Sequence, residues 1–90
     1  MEAHAMISVS GLVQGVGYRW FACKHAQSLG LSGFVQNEYN DTVSAEVEGE
    51  KSAIEEFIVH LKTGPRSAHV HAVDVEWSEP THVFTGFRIR

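Results

Sequence analysis

The sequence contains little that would cross-link the chain or place it in a membrane. It has 90 residues with one cysteine, Cys23, and its apolar residues form no long continuous run. A lone cysteine cannot close an internal disulfide, and a membrane-spanning helix needs about 20 consecutive apolar residues. The first residues, Met1 to Ala5, also lack the basic and apolar regions of a signal peptide. We therefore expect a cytoplasmic protein with no membrane partner.

Positive charge is scarce as well. The chain has 7 lysines and arginines against 11 aspartates and glutamates, which gives a formal net charge of −4. Proteins that bind nucleic acids or anionic membranes in general need a basic face that neutralises phosphates. We expect no nucleic-acid partner, and we expect any positive field on this protein to be local.

The length and composition predict a single domain over residues 1–90. A chain of this length supports one modest core, which a hydrophobic fraction of 43% is able to fill. We find no linker, internal repeat or coiled-coil pattern in it. A monomer is the default expectation.

Hydrophobic periodicity predicts two helices and five strands, in the order βαββαβ with a short strand added at the end. Alternating apolar residues indicate strands, whereas apolar residues at i, i+3, i+4 and i+7 indicate helices. The strands are expected around residues 5–9, 34–37, 43–47, 71–77 and 87–89, and the helices over 18–29 and 54–61. This order is typical of an α+β split βαβ sandwich, a mostly antiparallel sheet with both helices on one face. The charged run Glu46–Lys51 is expected to be a solvated strand end.

A glycine-rich segment joins the first strand to the first helix. Gly11, Gly15 and Gly17 precede Arg19, which falls in the first helical turn. Glycines let backbone N–H groups approach a ligand closely, the start of a helix favours negative charge, and a guanidinium binds phosphate with two hydrogen bonds. The segment is therefore a candidate oxyanion cradle. The alternative is that the glycines serve only the turn and that Arg19 faces solvent.

The sequence matches none of the common motifs for nucleotides or metals. The Walker pattern requires Gly-Lys followed by Ser or Thr, and the dinucleotide fingerprint requires a glycine where Trp20 stands. His69 and His71 could place two imidazoles on one strand face, but no third ligand accompanies them at a typical spacing. We expect no metal site.

Four stretches, in order along the chain, resemble the acylphosphatase family. They read Gly11-x-Val13-Gln14-Gly15-Val16-x-Tyr18-Arg19, Ala26-x-x-Leu29-Gly30-Leu31-x-Gly33-Phe34-Val35-x-Asn37, Gly64-Pro65-x-x-Ala68-x-Val70 and Phe87-x-Ile89. The resemblance implies a small ferredoxin-like sandwich that hydrolyses acyl phosphates to a carboxylate and inorganic phosphate, with no metal or other cofactor. The expected partner is a small-molecule acyl phosphate.

The same resemblance implies which residues form the site. Backbone N–H groups of the loop would bind the phosphoryl group, Arg19 would hold it, and Asn37 would orient the attacking water. The phosphate-binding residues are then Gly11, Leu12, Val13, Gln14, Gly15, Val16, Gly17, Tyr18 and Arg19, and the catalytic residues are Arg19 and Asn37. Without the resemblance, Asn37 is better interpreted as a strand-end residue that caps a turn.

The hairpin that follows Asn37 departs from the family pattern. It carries Asn40-Asp41, whereas many members have Asp-Gly at this turn. Aspartate tolerates the left-handed backbone region better than most residues do, so we expect a local cost in stability and no loss of chemistry. A shift of the hairpin register would turn Asn37 away from the loop.

Two other functions are compatible with the element order. A non-catalytic phosphate-binding or regulatory module would keep the fold and the anion site without turnover. An RNA-recognition-like domain shares the βαββαβ order, but the third strand, Val43–Val47, lacks the aromatic signature of that class and the net charge is negative.

Overall fold

The sheet of this protein has five strands, and its two helices pack on one face. The structure is a computed structural model that describes all residues, Met1–Arg90. Its elements are β1 (Glu2–Leu12), α1 (Tyr18–Ser28), β2 (Ser32–Asn37), β3 (Val43–Glu50), α2 (Lys51–Thr63), β4 (His69–Ser78) and β5 (Phe87–Ile89). The strand order is β4-β1-β3-β2-β5, and only β2 and β5 pair in parallel. The predicted ferredoxin-like α+β sandwich is confirmed.

The core lies between the sheet and the helices. The four apolar residues that predict α2, namely Ile54, Phe57, Ile58 and Leu61, are all buried. They belong to a single cluster of 19 buried residues. Tyr18 connects the helices, because its phenol donates a hydrogen bond of 2.8 Å to the backbone oxygen of Leu61. The start of α1 is therefore held in a defined place relative to α2. Neither helix combines the length and the apolar character that a membrane crossing would need.

The first strand runs further than the sequence predicts, through Gly11 and Leu12. A β-bulge separates Ser10 from Gly11, whose φ is 123°. A side chain at position 11 would collide with the backbone oxygen of His69 in β4. The close approach of β4 therefore requires glycine here, and the loop between β1 and α1, which we call the β1–α1 loop, comprises residues 13–17.

The face of the sheet opposite the helices is partly covered by the segment between β4 and β5. The Glu48 carboxylate holds this segment: it accepts hydrogen bonds from the Thr81 backbone N–H at 2.6 Å, the Thr81 hydroxyl at 2.7 Å and the His82 backbone N–H at 2.9 Å. His4 Nδ1 lies 2.5 Å from the same carboxylate. Glu48 is only 5% exposed. The prediction that Glu46–Lys51 is solvated is wrong at Glu48. Thr81 and His82, which come 33 and 34 positions later in the chain, cover this carboxylate.

Candidate active site

The β1–α1 loop turns sharply at two glycines. Gly15 has a φ of 74° and Gly17 a φ of 78°, in the left-handed region that other residues rarely adopt. A Cβ atom at either position would meet nothing within 4 Å. The backbone conformation, rather than a lack of space, therefore requires glycine, and open space lies around both positions.

The loop and the start of α1 present a row of backbone N–H groups without partners. No backbone oxygen accepts a hydrogen bond from residues 14–20, and the first N–H of the helix that is satisfied is that of Phe21, which donates to Gly17 at 3.1 Å. Gly17 is the N-cap of α1, and no side chain caps the helix. Free N–H groups at a helix start carry partial positive charge and bind anions. The row therefore has the donors that a phosphate group needs.

Arg19 is half-buried in the first turn of α1, and its own backbone N–H belongs to this row. Its Nη1 atom donates a hydrogen bond of 3.1 Å to the backbone oxygen of Arg90. A guanidinium has five N–H donors in a planar fork, so this contact orients the group and leaves other donors free. Nothing in the sequence pattern indicates the role of Arg90 in this contact.

Asn37 is the last residue of β2 and lies at the same edge of the sheet. It is paired with Val43 of β3, which is paired in turn with Val9 of β1, two residues before the bulge at Gly11. Asn37 is exposed, and its side chain makes no hydrogen bond within the chain. Its amide is therefore free to bind a water or a ligand.

A side chain of the loop connects the β1–α1 loop to the β2–β3 turn. Gln14 Nε2 donates to the backbone oxygens of Glu38 and Thr42, both at 2.9 Å. The turn is itself closed by a hydrogen bond of 2.8 Å from the Glu38 N–H to the Thr42 oxygen. From the sequence, a role is predicted only for the backbone of Gln14. The signal for a role of its side chain is that a polar glutamine stands among the glycines and valines of the loop. We call the contact of Gln14 with Glu38 and Thr42 the Gln14 clip.

The β2–β3 turn keeps its register despite the Asn40-Asp41 pair. Asp41 has a φ of 67°, as the sequence predicts. Asn40 Oδ1 accepts a hydrogen bond of 2.6 Å from the Thr42 hydroxyl, which stabilises the turn. The β2–β3 pairing is regular up to Asn37 and Val43. The turn therefore leaves Asn37 at the edge of the sheet.

Several of the residues that are predicted to bind phosphate have no side chain exposed at this edge of the sheet. Val13 and Tyr18 are each only 1% exposed and belong to the core. Burial raises the pKa of the Tyr18 phenol, which donates to Leu61 instead. Gly11 and Leu12 pair with β4 as part of β1. Val13 and Tyr18 can therefore offer a ligand only their backbone groups, not their side chains. Gly11 and Leu12 lie before the row of free N–H groups.

No group of three or more His, Cys, Asp and Glu side chains is arranged to share a metal ion. His69 and His71 are both exposed on β4.

Comparison with known proteins identifies the family. The family model described as acylphosphatase matches residues 5–89. The chain is 42% identical over 89 residues to the acylphosphatase of Salinibacter ruber, covering 99% of this chain and 94% of that protein. It is 55% identical over 71 residues to the acylphosphatase of Thermus thermophilus, covering 79% of this chain and 81% of that protein. The crystal structure of acylphosphatase from Bacillus subtilis superposes with a TM-score of 0.95 at 31% identity, covering 100% of this chain and 99% of that one. The chain therefore belongs to the acylphosphatase family.

Proposed function

We propose that this protein is an acylphosphatase, an enzyme that hydrolyses the carboxyl–phosphate bond of acyl phosphates. The observation that carries the proposal is the row of unpartnered N–H groups at residues 14–20, at the start of the helix whose first turn carries Arg19. Relatives that carry the name acylphosphatase and match nearly the whole chain support it. They do not favour the alternative of a phosphate-binding module without turnover.

The phosphoryl group is the part of the substrate that the β1–α1 loop would bind. Its oxygens would accept hydrogen bonds from the free N–H groups of residues 14–20, and Arg19 would add a charge-assisted pair. In the loose transition state of phosphoryl transfer, negative charge spreads over the equatorial oxygens. Donors that are already in place stabilise that charge without reorganising during the reaction.

Asn37 is the proposed ligand of the attacking water. An amide both donates and accepts hydrogen bonds, so it can hold a water in line with the scissile bond. The water oxygen bonds to phosphorus while the bond between phosphorus and the acyl oxygen breaks, and the electron pair leaves with the carboxylate. Both protons of the water stay on the phosphate as H2PO4−, or one of them passes to solvent and leaves HPO4²−. Because the parent carboxylic acid has a pKa of about 4, the leaving group needs no proton and the site needs no general acid.

The proposal includes the setting in which the enzyme works. We propose a monomer in the cytoplasm, acting on a small-molecule acyl phosphate without a metal or another cofactor and without a nucleic-acid partner. The free thiol of Cys23 fits a reducing compartment. The net charge of −4 opposes binding to nucleic acids in general. Sedimentation at increasing concentration tests whether the protein is a monomer. Retention of single-stranded RNA on a filter at low salt tests whether it binds nucleic acid.

The activity is tested by the release of inorganic phosphate from acetyl phosphate in the presence of EDTA. Ethyl phosphate is the matched control, because it has the same phosphoryl group and nearly the same shape but a much poorer leaving group. We expect rapid release from acetyl phosphate and little from ethyl phosphate. A folded protein that binds phosphate and releases none from acetyl phosphate would make the binding module the better account.

A further inference from the structure

A groove crosses the face of the sheet opposite the helices, where the segment between β4 and β5 does not cover it. Its volume is about 480 Å³, and most of its exposed surface is apolar. Sites for small molecules have volumes of roughly 300–1,000 Å³. No lysine, arginine or histidine lines the groove, whereas four carboxylates do, those of Glu38, Glu46, Asp74 and Glu76. We call it the open-face groove.

The strand pairing sets the spacing of the carboxylates. Met6 of β1 is paired with Glu46 of β3 on one side and with Glu76 of β4 on the other. Paired residues lie on the same face, and neighbouring strands are about 4.8 Å apart, so the backbones at Glu46 and Glu76 are about 10 Å apart. Asp74 lies on the same face as Glu76, two residues earlier in β4 and about 7 Å away. The negative charges are therefore spread along the groove rather than gathered at one point.

Met6 gives the groove an apolar floor between the charges. Its side chain is 53% exposed, although its neighbours in β1, Ala5 and Ile7, are buried. The Phe34 ring continues this floor on the far side of Glu46, with which Phe34 is paired. A methionine side chain is flexible and polarisable, so it adapts to the shape of a ligand that lies across it. The open-face groove therefore offers apolar contact between separated negative charges.

The β4 side of the groove has negative charge without a counter-charge. Asp74 and Glu76 are exposed, and neither takes part in an ion pair. The nearest arginines of the sheet stand beyond Phe34: Arg88 is paired with it in β5, and the Arg90 guanidinium lies 3.8 Å from the centroid of its ring. Both line a different pocket. Carboxylates without a counter-charge create a local negative potential that attracts cations.

The other two carboxylates are held in place by neighbouring side chains. Glu46 Oε1 lies 3.2 Å from His4 Nε2. Glu38 accepts hydrogen bonds from the Ser44 hydroxyl and, at 2.9 Å, from Gln36 Nε2. These two hydrogen bonds lower the pKa of Glu38, so its carboxylate stays ionised at neutral pH. The groove therefore keeps a fixed negative charge on its β2–β3 side as well.

We infer that the open-face groove binds a linear polyamine, a chain of ammonium groups separated by methylene segments. The ammonium groups pair with the separated carboxylates, and the methylenes lie across Met6. A single metal ion does not match this arrangement, because no three His, Cys, Asp and Glu side chains are placed to share one. A basic peptide matches it less well, since β1 and β3 are each paired on both sides and leave no backbone groups for the peptide's own N–H and C=O groups.

The site is tested by calorimetric titration of spermidine into the wild type and variants, at low ionic strength and without phosphate. We expect Glu76→Gln to weaken binding about threefold, as for an exposed ion pair. Met6→Ser leaves the charge unchanged and should also weaken binding about threefold, which corresponds to about 30 Å² of lost apolar contact. Glu55→Gln is the matched control, because it removes the same charge from an exposed position of α2 and should keep the wild-type affinity. Equal weakening by Glu76→Gln and Glu55→Gln would overturn the inference, since only net charge would then matter.

Two further cations test the shape and the chemical class of the ligand. Hexaamminecobalt(III) has the same charge as spermidine but is compact, so we expect it to bind about tenfold more weakly, for lack of both the apolar contact and a second charge pair. Acetylated tetralysine amide has the same charge as spermine but carries a peptide backbone, and it should bind more weakly than spermine. Equal affinities of spermidine and the cobalt complex would overturn a shaped site. Tighter binding of the peptide would overturn the polyamine in favour of a basic peptide.

The position of the ligand is tested by NMR, and the result does not depend on the proposed function because no substrate is present. Addition of spermidine should shift the backbone amide signals of Met6, Glu46 and Glu76, and Glu76→Gln should reduce these shifts. Shifts confined to other parts of the chain, or no binding at millimolar spermidine, would overturn the inference and leave the acylphosphatase proposal intact. If the protein hydrolyses no acyl phosphate, these titrations still decide the polyamine site.

Discussion

In the proposed mechanism, two polar side chains, Arg19 and Asn37, distinguish a loop that only binds phosphate from one that also hydrolyses acyl phosphates. Arg19 has a fixed orientation through Arg90, whereas the Asn37 amide has no partner in the chain. One is therefore suited to bind charge and the other to bind a mobile water. Their substitutions are expected to affect different kinetic constants.

Replacing Arg19 with alanine is expected to raise KM and lower kcat together. The guanidinium would contact the phosphoryl group in the ground state and carry more charge in the transition state. Hydrogen bonds to charged groups are worth about 1.5–3 kcal/mol, so we expect kcat/KM for acetyl phosphate to fall about 100-fold. Arg66→Ala removes the same charge from an exposed position and serves as the control. Equal effects of the two substitutions would show that only net charge matters.

Replacing Asn37 with alanine is expected to lower kcat about 100-fold, because an unguided water rarely lies in line with the scissile bond. The inhibition constant of inorganic phosphate, measured in the same assay, should change much less, since the phosphate donors remain. A large loss of phosphate affinity with kcat intact would contradict the proposed role.

At the scale of elements, the candidate site exists because three strands end at one edge. β1, β2 and β5 all point toward the edge where α1 begins, since β1 and β2 both pair antiparallel with β3 and β5 pairs parallel with β2. The Gln14 clip then fixes the β1–α1 loop against the β2–β3 turn, which follows Asn37 directly. The distance between the free N–H groups of the β1–α1 loop and the Asn37 amide thus depends on an interaction between two connecting segments.

Removal of the Gln14 clip is expected to reduce activity through Asn37. Gln14→Ala should lower kcat about tenfold in the wild-type background, because the loop and the turn lose their two shared hydrogen bonds. In an Asn37→Ala background the same change should cost little, since the amide that the clip positions is already absent. Additive losses in the double variant would contradict a positioning role and leave Gln14 with a purely structural one.

At the scale of the whole molecule, the buried Glu48 joins elements that are distant in sequence. Burial raises the pKa of its carboxyl group, but hydrogen bonds from His4, from the Thr81 backbone and hydroxyl and from the His82 backbone outweigh this effect and hold the pKa at about 2. The carboxylate therefore attaches β3 both to β1 and to the segment that leads to β5.

Acid is expected to destabilise the protein through Glu48. Its pKa is about 2 in the folded state against an ordinary value of 4.5, so the unfolded state binds more protons between these values. The stabilisation is complete above about pH 4.5 and is lost as the pH falls toward 2, amounting to about 3 kcal/mol. Denaturant unfolding at several pH values should show a smaller pH dependence in Glu48→Gln than in the wild type. Glu55→Gln, at an exposed position of α2, is the control and should keep the wild-type slope.

Local pattern was enough to predict every element and the family. The helix α2 followed from four apolar residues at helical spacing, and the β1–α1 loop followed from its glycines, because such signals depend on residues only a few positions apart. The left-handed backbone of Asp41 was expected from the family resemblance, because this aspartate stands where many members have a glycine. The roles of Arg19 and Asn37 came from the family resemblance and stay predictions.

Only the tertiary structure decided which distant groups meet. Gln14 donates to carbonyl oxygens that are 24 and 28 positions later in the chain, and Arg19 donates to the backbone of Arg90, which is 71 positions later. Glu48 is covered by Thr81 and His82, which are 33 and 34 positions later. Periodicity does not encode such pairs, because they depend on the order and register of the strands in the sheet. The close approach of β4 at Gly11 has the same origin. The sequence by itself therefore determined the elements and the glycine-rich β1–α1 loop, whereas the packing of the sheet decided how that loop is held and which groups surround it.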